Sequence, residues 1–227
     1  MENQIRLLST KKLLEHQKDY LLNADFLVLE EDFIEIKSKN FELSSVNDNL
    51  IFTSQNAVKS VLQHPKCEDL KSKNVFSLGM KTKDLLTENG FNVIAYTGYA
   101  ADLAEIISLI YNKESFTFLS GNMRRDVLPN TLKENRITFN EIEVYETKLT
   151  PKKITNKLDG ILFFSPSAVE SYFKLNTIKE EMFFCIGETT AEALDTKLRD
   201  KKTKNIIIAE KPSVENVLED VKYNFEK

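Results

Sequence analysis

Residues 51–62 read IFTSQNAVKSVL, and residues 162–173 read LFFSPSAVESYF. Each stretch runs an apolar strand end into a serine, then Ala-Val, then apolar residues at helical spacing. Each therefore predicts a β-strand that turns through a serine-bearing corner into an α-helix. The corner serines, Ser54 and Ser165, lie 165 − 54 = 111 residues apart. A repeat of about half the chain predicts two similar domains rather than a solenoid of short units.

Working outward from the first copy, strands at 50–53, 75–78, 92–95 and 116–119 alternate with helices at 55–63, 79–88, 100–111 and 124–133. In the third helix Leu103, Ile106, Ile107 and Ile110 fall at i, i+3, i+4 and i+7, the spacing of a core-facing stripe. From the second copy the alternation resumes, with strands at 160–164, 183–186 and 205–209 and helices at 167–174, 189–198 and 214–223. Such a rhythm predicts α/β architecture with parallel sheets. The later part is one strand–helix pair short, and the N-terminus supplies it. LLSTKKLLEH at 7–16 matches FLSGNMRRDVL at 118–128, again with an offset of 120 − 9 = 111. A strand at 5–9, a helix at 11–22 and a strand at 26–29 belong to that piece. The organisation expected is a discontinuous domain of 1–34 plus 148–227, an inserted domain of 38–140, and linker segments at 31–37 and 140–147. ITFNEIEVYET, at 137–147, reads as a long alternating strand that crosses between them.

A net charge of −4 over 227 residues argues against a broad nucleic-acid-binding face. Cys67 and Cys185 are isolated, which excludes a disulfide scaffold or a cysteine zinc site and suits a reducing compartment. With His16 and His64 as the two histidines, a histidine metal centre is not expected. The longest apolar runs have strand length, so a cytoplasmic protein with no membrane span is expected. No apolar surface stripe remains once the helices are assigned, and a monomer is expected.

Strand-to-helix corners of a parallel sheet lie at the carboxyl ends of the strands, where such folds bind ligands. The corners here carry Thr53, Ser54, Gln55 and Asn56; Ser77, Gly79, Met80, Lys81 and Thr82; Ser120 and Gly121; Ser165, Pro166 and Ser167; Gly187, Thr189 and Thr190; Pro212 and Ser213. Two readings are open at each: helix caps alone, or helix N-termini whose backbone N–H groups hold an anion, each worth roughly 0.3–1 kcal/mol. Repetition over facing corners suits a ligand with many carboxylates, and no glycine-rich phosphate loop is present. Arg124 or Arg125 could pair with a carboxylate, although adjacent helical positions cannot both face one ligand. If the crossing strand is regular, Tyr145 points away from its apolar face, either as a half-buried hinge residue or as a phenol that donates a proton or a hydrogen bond.

Taken together, TSQNAV at 53–58, LSGNMRRDVLP at 119–129, VYET at 144–147, FFSPSAVE at 163–170 and CIGETTAEAL at 185–194 resemble uroporphyrinogen-III synthase in order and spacing over essentially the whole chain. The resemblance implies two similar flavodoxin-like α/β domains joined by a two-stranded antiparallel linker. It implies a cofactor-free reaction with no metal: hydroxymethylbilane, a linear octacarboxylate tetrapyrrole, loses water and closes through a spiro intermediate with its last pyrrole ring inverted. It matches Tyr145 to a crossing-strand tyrosine that serves as acid for the departing hydroxyl. Thr189 or Thr190 matches a threonine after the last-domain glycine, and Thr82 matches its counterpart in the inserted domain. Many members carry an arginine after the first strand, where Ser9, Thr10 and Lys11 stand here. The reading from a different class is a non-enzymatic two-domain protein that closes on a small anionic ligand.

Overall fold

The computed structural model describes residues 4–198 and 205–226; residues 1–3, 199–204 and 227, which the sequence-based domain assignment includes, lie outside the described residues. The chain divides into two compact units, Met1–Glu35 with Lys148–Lys227, and Ile36–Thr147. The first unit opens with β1 (Arg6–Ser9), α1 (Glu15–Leu22) and β2 (Leu27–Glu30), and β3 (Ile34–Ser38) leads out of it. The second contains β4 (Asn49–Phe52), α2 (Gln55–Leu62), α3 (Cys67–Leu70), β5 (Asn74–Leu78), α4 (Met80–Glu88) and β6 (Asn92–Thr97). It continues through α5 (Ala100–Ile110), β7 (Ser115–Gly121), α6 (Val127–Glu134) and the long β8 (Thr138–Leu149). The first unit then resumes with β9 (Gly160–Phe163), α7 (Pro166–Phe173), β10 (Met182–Cys185), α8 (Glu188–Leu198), β11 (Ile206–Ile208) and α9 (Val214–Phe225).

The first sheet has the order β11-β10-β9-β1-β2, and every neighbouring pair is parallel. Counted in chain order these strands run 2-1-3-4-5, the flavodoxin-like doubly wound arrangement. The second sheet has the order β3-β8-β7-β4-β5-β6, parallel from β8 to β6. It gives the same 2-1-3-4-5 if β7 and β8 are counted as its first two strands, so the second unit is the first with its strands permuted. Lys39 N–H donates to the Val144 carbonyl at 3.2 Å and Thr150 N–H to the Phe33 carbonyl at 3.0 Å. These partners run in opposite senses along β3 and β8, as in an antiparallel pair.

Strands buried on both faces divide their side chains between two cores. In the first unit Leu8, Ile161, Phe163, Phe183 and Cys185 join Val169, Tyr172 and Leu194 on one face of the sheet. The alternate residues Leu7, Leu162 and Phe184 join Leu21, Val217, Leu218 and Val221 on the other. The second unit does the same: Leu50, Phe52 and Leu119 pack with Val58, Val61 and Leu86, whereas Ile51, Phe76, Phe116 and Phe118 pack with Leu103, Ile107 and Leu132. Phe52 and Phe163, at the same place in the two copies of the repeat, are both fully buried.

Three expectations are corrected here. Helix α1 begins at Glu15, not at 11, because Leu14 keeps an extended backbone (φ −68°, ψ 155°) and caps the helix, its N–H donating to Gln17 Oε1 at 3.0 Å, while the Lys12 and Leu13 N–H groups reach Asp32 Oδ1 (2.9 Å) and Glu30 Oε1 (2.8 Å). Helix α6 begins at Val127, not at 124, with Asp126 at its N-cap, and the Arg124 side chain before it pairs with two carboxylates. Of the stripe on α5, Leu103 and Ile107 are buried, but Ile110 is 69% exposed and Leu109 70%, so an apolar pair stays on the surface where none was expected. The single turn α3 stands between the helix at 55–63 and the strand at 75–78, where the sequence pattern predicts no element. Among the described residues no helix is long and apolar enough to cross a membrane.

Candidate functional site

In a 2-1-3-4-5 sheet the chain leaves strands 1 and 3 in opposite directions, which opens a crevice at their carboxyl ends. In the second unit those strands are β7 and β4, and in the first they are β1 and β9. Because β8, β7, β4 and β5 are neighbours, their ends bring Tyr145, Ser120 and Gly121, the 53–56 corner and the 79–82 corner into one row. In the first unit β9 and β10 bring together Ser165, Pro166 and Ser167 with Gly187, Thr189 and Thr190.

The corner helices are capped as their sequences dictate. Ser54 Oγ accepts from Asn56 N–H (3.1 Å) at the start of α2, which leaves Gln55 exposed and Thr53 half-buried. Ser165 Oγ accepts from Ala168 N–H (3.1 Å), Pro166 fills the first helical position, and Ser167 Oγ lies 3.0 Å from Ser165 Oγ. At the next corner Gly79 has φ +82°, a left-handed conformation that favours glycine. It aims α4 so that Thr82 N–H donates to the Gly79 carbonyl at 3.1 Å, while Met80 and Lys81 stay exposed. The equivalent corner of the first unit repeats the contact, with Thr190 N–H on the Gly187 carbonyl at 3.0 Å. Thr82 and Thr190 are both buried and Thr189 is exposed, so the internal repeat pairs Thr190 with Thr82.

Tyr145 departs from expectation. Regular alternation would turn it away from the apolar face that Val144 occupies, yet both side chains are buried in the same core. The cause is a register shift against β7: Ser120 pairs with Glu143, but Gly121 pairs with Tyr145, so Val144 is the extra residue of a bulge. The ring lies directly over Gly121. A Cβ at that position would stand 2.6 and 2.7 Å from Cε2 and Cε1 of Tyr145 and closer still to Cζ.

Arg124 does not stand ready for an external carboxylate. Its Nε and Nη2 grip the two oxygens of Glu141 at 2.6 and 3.0 Å, and its Nη1 pairs with Asp126. Ser120 Oγ donates to the same Glu141 at 2.7 Å. Burial alone would raise the Glu141 carboxyl, but the hydrogen bonds from Arg124 and Ser120 hold it below the ordinary carboxylate value. Asn122, absent from the candidate residues, makes two further bonds to β8: its Nδ2 donates to the Thr147 carbonyl (3.2 Å) and its Oδ1 accepts from Thr147 N–H (2.8 Å). No short-range pattern signals such a bond, since the partner lies 25 residues on. In the first unit Thr10 takes the place of Gly121, and its N–H and Oγ1 both donate to the Leu162 carbonyl, at 3.1 and 2.7 Å. Lys11 Nζ sits over the Phe164 ring, 5.1 Å from its centre. His64 stacks on Phe41 with ring centres 4.7 Å apart, a structural role.

The family model described as Uroporphyrinogen-III synthase HemD matches residues 19–219. The solved uroporphyrinogen-III synthetase of Helicobacter pylori is 24% identical, with a TM-score of 0.71 over 97% of this chain and 99% of that one. A mutant uroporphyrinogen III synthase of Thermus thermophilus is 17% identical, with a TM-score of 0.71 over 98% and 99%. The wild-type Thermus enzyme in another crystal form gives 16% and 0.54 over 98% of both chains. No curated protein sequence matches the chain significantly. At these identities the structures establish the shared α/β fold, and the family model, which spans nearly all of both units, establishes that the chain belongs to the uroporphyrinogen-III synthase family.

Proposed function

We propose that this chain closes hydroxymethylbilane to uroporphyrinogen III, with loss of water and inversion of the last pyrrole ring through a spiro intermediate, using the residues gathered at the strand ends. The observation that carries the reading is the family-model match over residues 19–219. The bilane closes unaided to the uninverted isomer, so the enzyme has to select a product rather than create reactivity. Selection of this kind is an orientation effect, to which many weak donors can contribute. The first turns of α2, α4, α7 and α8 supply such donors to the carboxylates of the substrate through Thr53, Ser54, Gln55, Asn56, Gly79, Met80, Lys81 and Thr82 in one unit. Ser165, Ser167, Gly187, Thr189 and Thr190 do so in the other, where Pro166, which has no N–H, meets the substrate by contact alone. Tyr145 donates from its phenol to the departing hydroxyl. The protein acts as a cytoplasmic monomer.

The test supplies freshly made hydroxymethylbilane and resolves the product isomers. Type III product forming faster than the spontaneous type I background is the expected result. Unchanged background, with saturable binding of the bilane, would replace this reading by that of a non-catalytic binding protein.

A further inference from the structure

Ser120 and Arg124, two of the residues expected to hold an anion in the turn after β7, are instead bonded to β8, and Asn122 joins them. Ser120 and Arg124 converge on Glu141, four residues before Tyr145, while Asn122 makes paired main-chain bonds to Thr147, two residues after it. Between these two attachments Gly121 lies against the tyrosine ring with no room for a Cβ. The bulge at Val144 falls inside the gripped interval and turns the ring to the core side. A turn built to bind substrate would leave its arginine fork and amide open. Here both are used within a few residues of one side chain, and from both sides of it.

We propose that Ser120, Gly121, Asn122 and Arg124 form a clamp on β8 that sets the position of the Tyr145 ring, making them positioning residues for the cyclisation rather than ligands of the substrate. This rests on the reading of Tyr145 as donor to the departing hydroxyl. Gly121 fixes how near the ring lies to the β7 backbone. The Asn122–Thr147 and Arg124–Glu141 pairs fix the slide of β8 along β7, and therefore which residue faces Gly121. A displaced donor loses rate steeply, since about 1 Å of misplacement can cost roughly a hundredfold.

The experiment compares Gly121→Ala, Asn122→Ala, Asn122→Asp, Arg124→Gln and Glu141→Gln, each alone and with Tyr145→Phe. It measures kcat, KM and the ratio of type III to type I product, and it records carbon NMR spectra of protein labelled at tyrosine Cζ. The Tyr145 resonance is the one missing from Tyr145→Phe. Gly121→Ala and Asn122→Ala are expected to move that resonance and to lower kcat, the former by about a hundredfold. The type III fraction should fall with kcat while KM changes little. Asn122→Asp, which keeps the acceptor for Thr147 N–H, should recover part of the loss. In the Tyr145→Phe background none of these changes should slow the enzyme further, because their effect passes through a hydroxyl already removed.

The arginine pair decides between clamp and ligand. If Arg124 served the substrate, Glu141→Gln would release its fork and lower KM; as a clamp, Glu141→Gln should reproduce the kcat loss of Arg124→Gln. A lowered KM in Glu141→Gln, or losses that multiply with Tyr145→Phe, would overturn the proposal. So would an unmoved Tyr145 resonance in folded Gly121→Ala and Asn122→Ala. Full turnover and full selectivity in Tyr145→Phe would remove the donor reading itself, a failure seen in activity and separate from the resonance that reports the clamp.

Discussion

The turn after β1 and the turn after β7 occupy the same place in two sheets that share the 2-1-3-4-5 arrangement once the second is permuted, yet they hold their neighbours by different means. After β1 the donors are mostly main-chain: Thr10 N–H reaches the Leu162 carbonyl together with Thr10 Oγ1, and the N–H groups of Lys12 and Leu13 reach the carboxylates of Asp32 and Glu30. After β7 the side chains of Ser120, Asn122 and Arg124 reach β8. Main-chain donors fix the path of the turn whatever side chain they carry, with Thr10, whose hydroxyl is also bonded, the exception. A side-chain grip is specific, and here it surrounds a tyrosine seated in the space that a Cβ at Gly121 would fill. The repeat has thus kept its topology while the two corners are tied down by different groups.

Paired substitutions at equivalent places test how far that equivalence extends. The largest effects belong to the central strands: Phe52→Ala and Phe163→Ala, both at fully buried sites, should each cost about 3–5 kcal/mol. The check is urea unfolding. A difference between the two beyond that range would show that one core relaxes around its cavity and the other does not. Next come the glycine corners. Gly79→Ala forces a left-handed φ of +82° on a residue with a Cβ and should cost roughly 1–2 kcal/mol. Gly187→Ala, with nothing within 4 Å of the new Cβ, should stay within about 0.5 kcal/mol. Equal costs would mean that the two corners share the same backbone requirement.

The serine caps come third. Ser54→Ala and Ser165→Ala each remove one bond to a first-turn N–H, worth about 1 kcal/mol. The Ser165 change should be the milder, since Pro166 has already preset the first helical residue. The smallest effect is a pH dependence. Glu141 and Glu30 are both held below the ordinary carboxylate value of 4.5; burial would raise each, but the hydrogen bonds of Arg124 and Ser120 on one, and of Lys18 and Leu13 N–H on the other, outweigh it. A lowered folded value contributes stability above the unfolded pKa that is lost as the pH falls through the folded pKa. Glu141→Gln and Glu30→Gln should therefore be less stable than the parent at neutral pH, and the gap should close as the pH falls below the ordinary carboxylate value and through the lowered ones. Solvent screening keeps each gap under about 1 kcal/mol. Unfolding midpoints over an acid series would check it, with the larger gap expected for Glu141, the carboxylate held by a two-pronged guanidinium.

Much of this architecture is legible in local pattern. The apolar strand ends, the corner serines and the helical spacing after them are short-range signals, and the 111-residue offset between Ser54 and Ser165 is enough to pair the units strand by strand. What escapes is long-range. The bonds that tie the turns before α1 and α6 run from Leu13 to Glu30 and from Arg124 to Glu141, each across 17 residues. The direction of Tyr145 depends on a one-residue bulge whose partner strand lies more than twenty residues upstream. Alternation in ITFNEIEVYET is real, but a single extra residue reverses the face of everything after it. Ile110 shows the converse: it has helical spacing with Leu103 and Ile107, but it ends its helix, where no neighbour covers it.

The permuted order of the second unit has a consequence for biosynthesis. Residues 36–147 are contiguous, so this unit can fold as soon as it clears the ribosome. The opening strands of the first unit cannot. Arg6 N–H bonds to Asp159, 153 residues further on, and β1 pairs with β9. Until that stretch has been translated, the nascent N-terminus displays a strand edge without its native partner, the kind of edge on which other chains can pair.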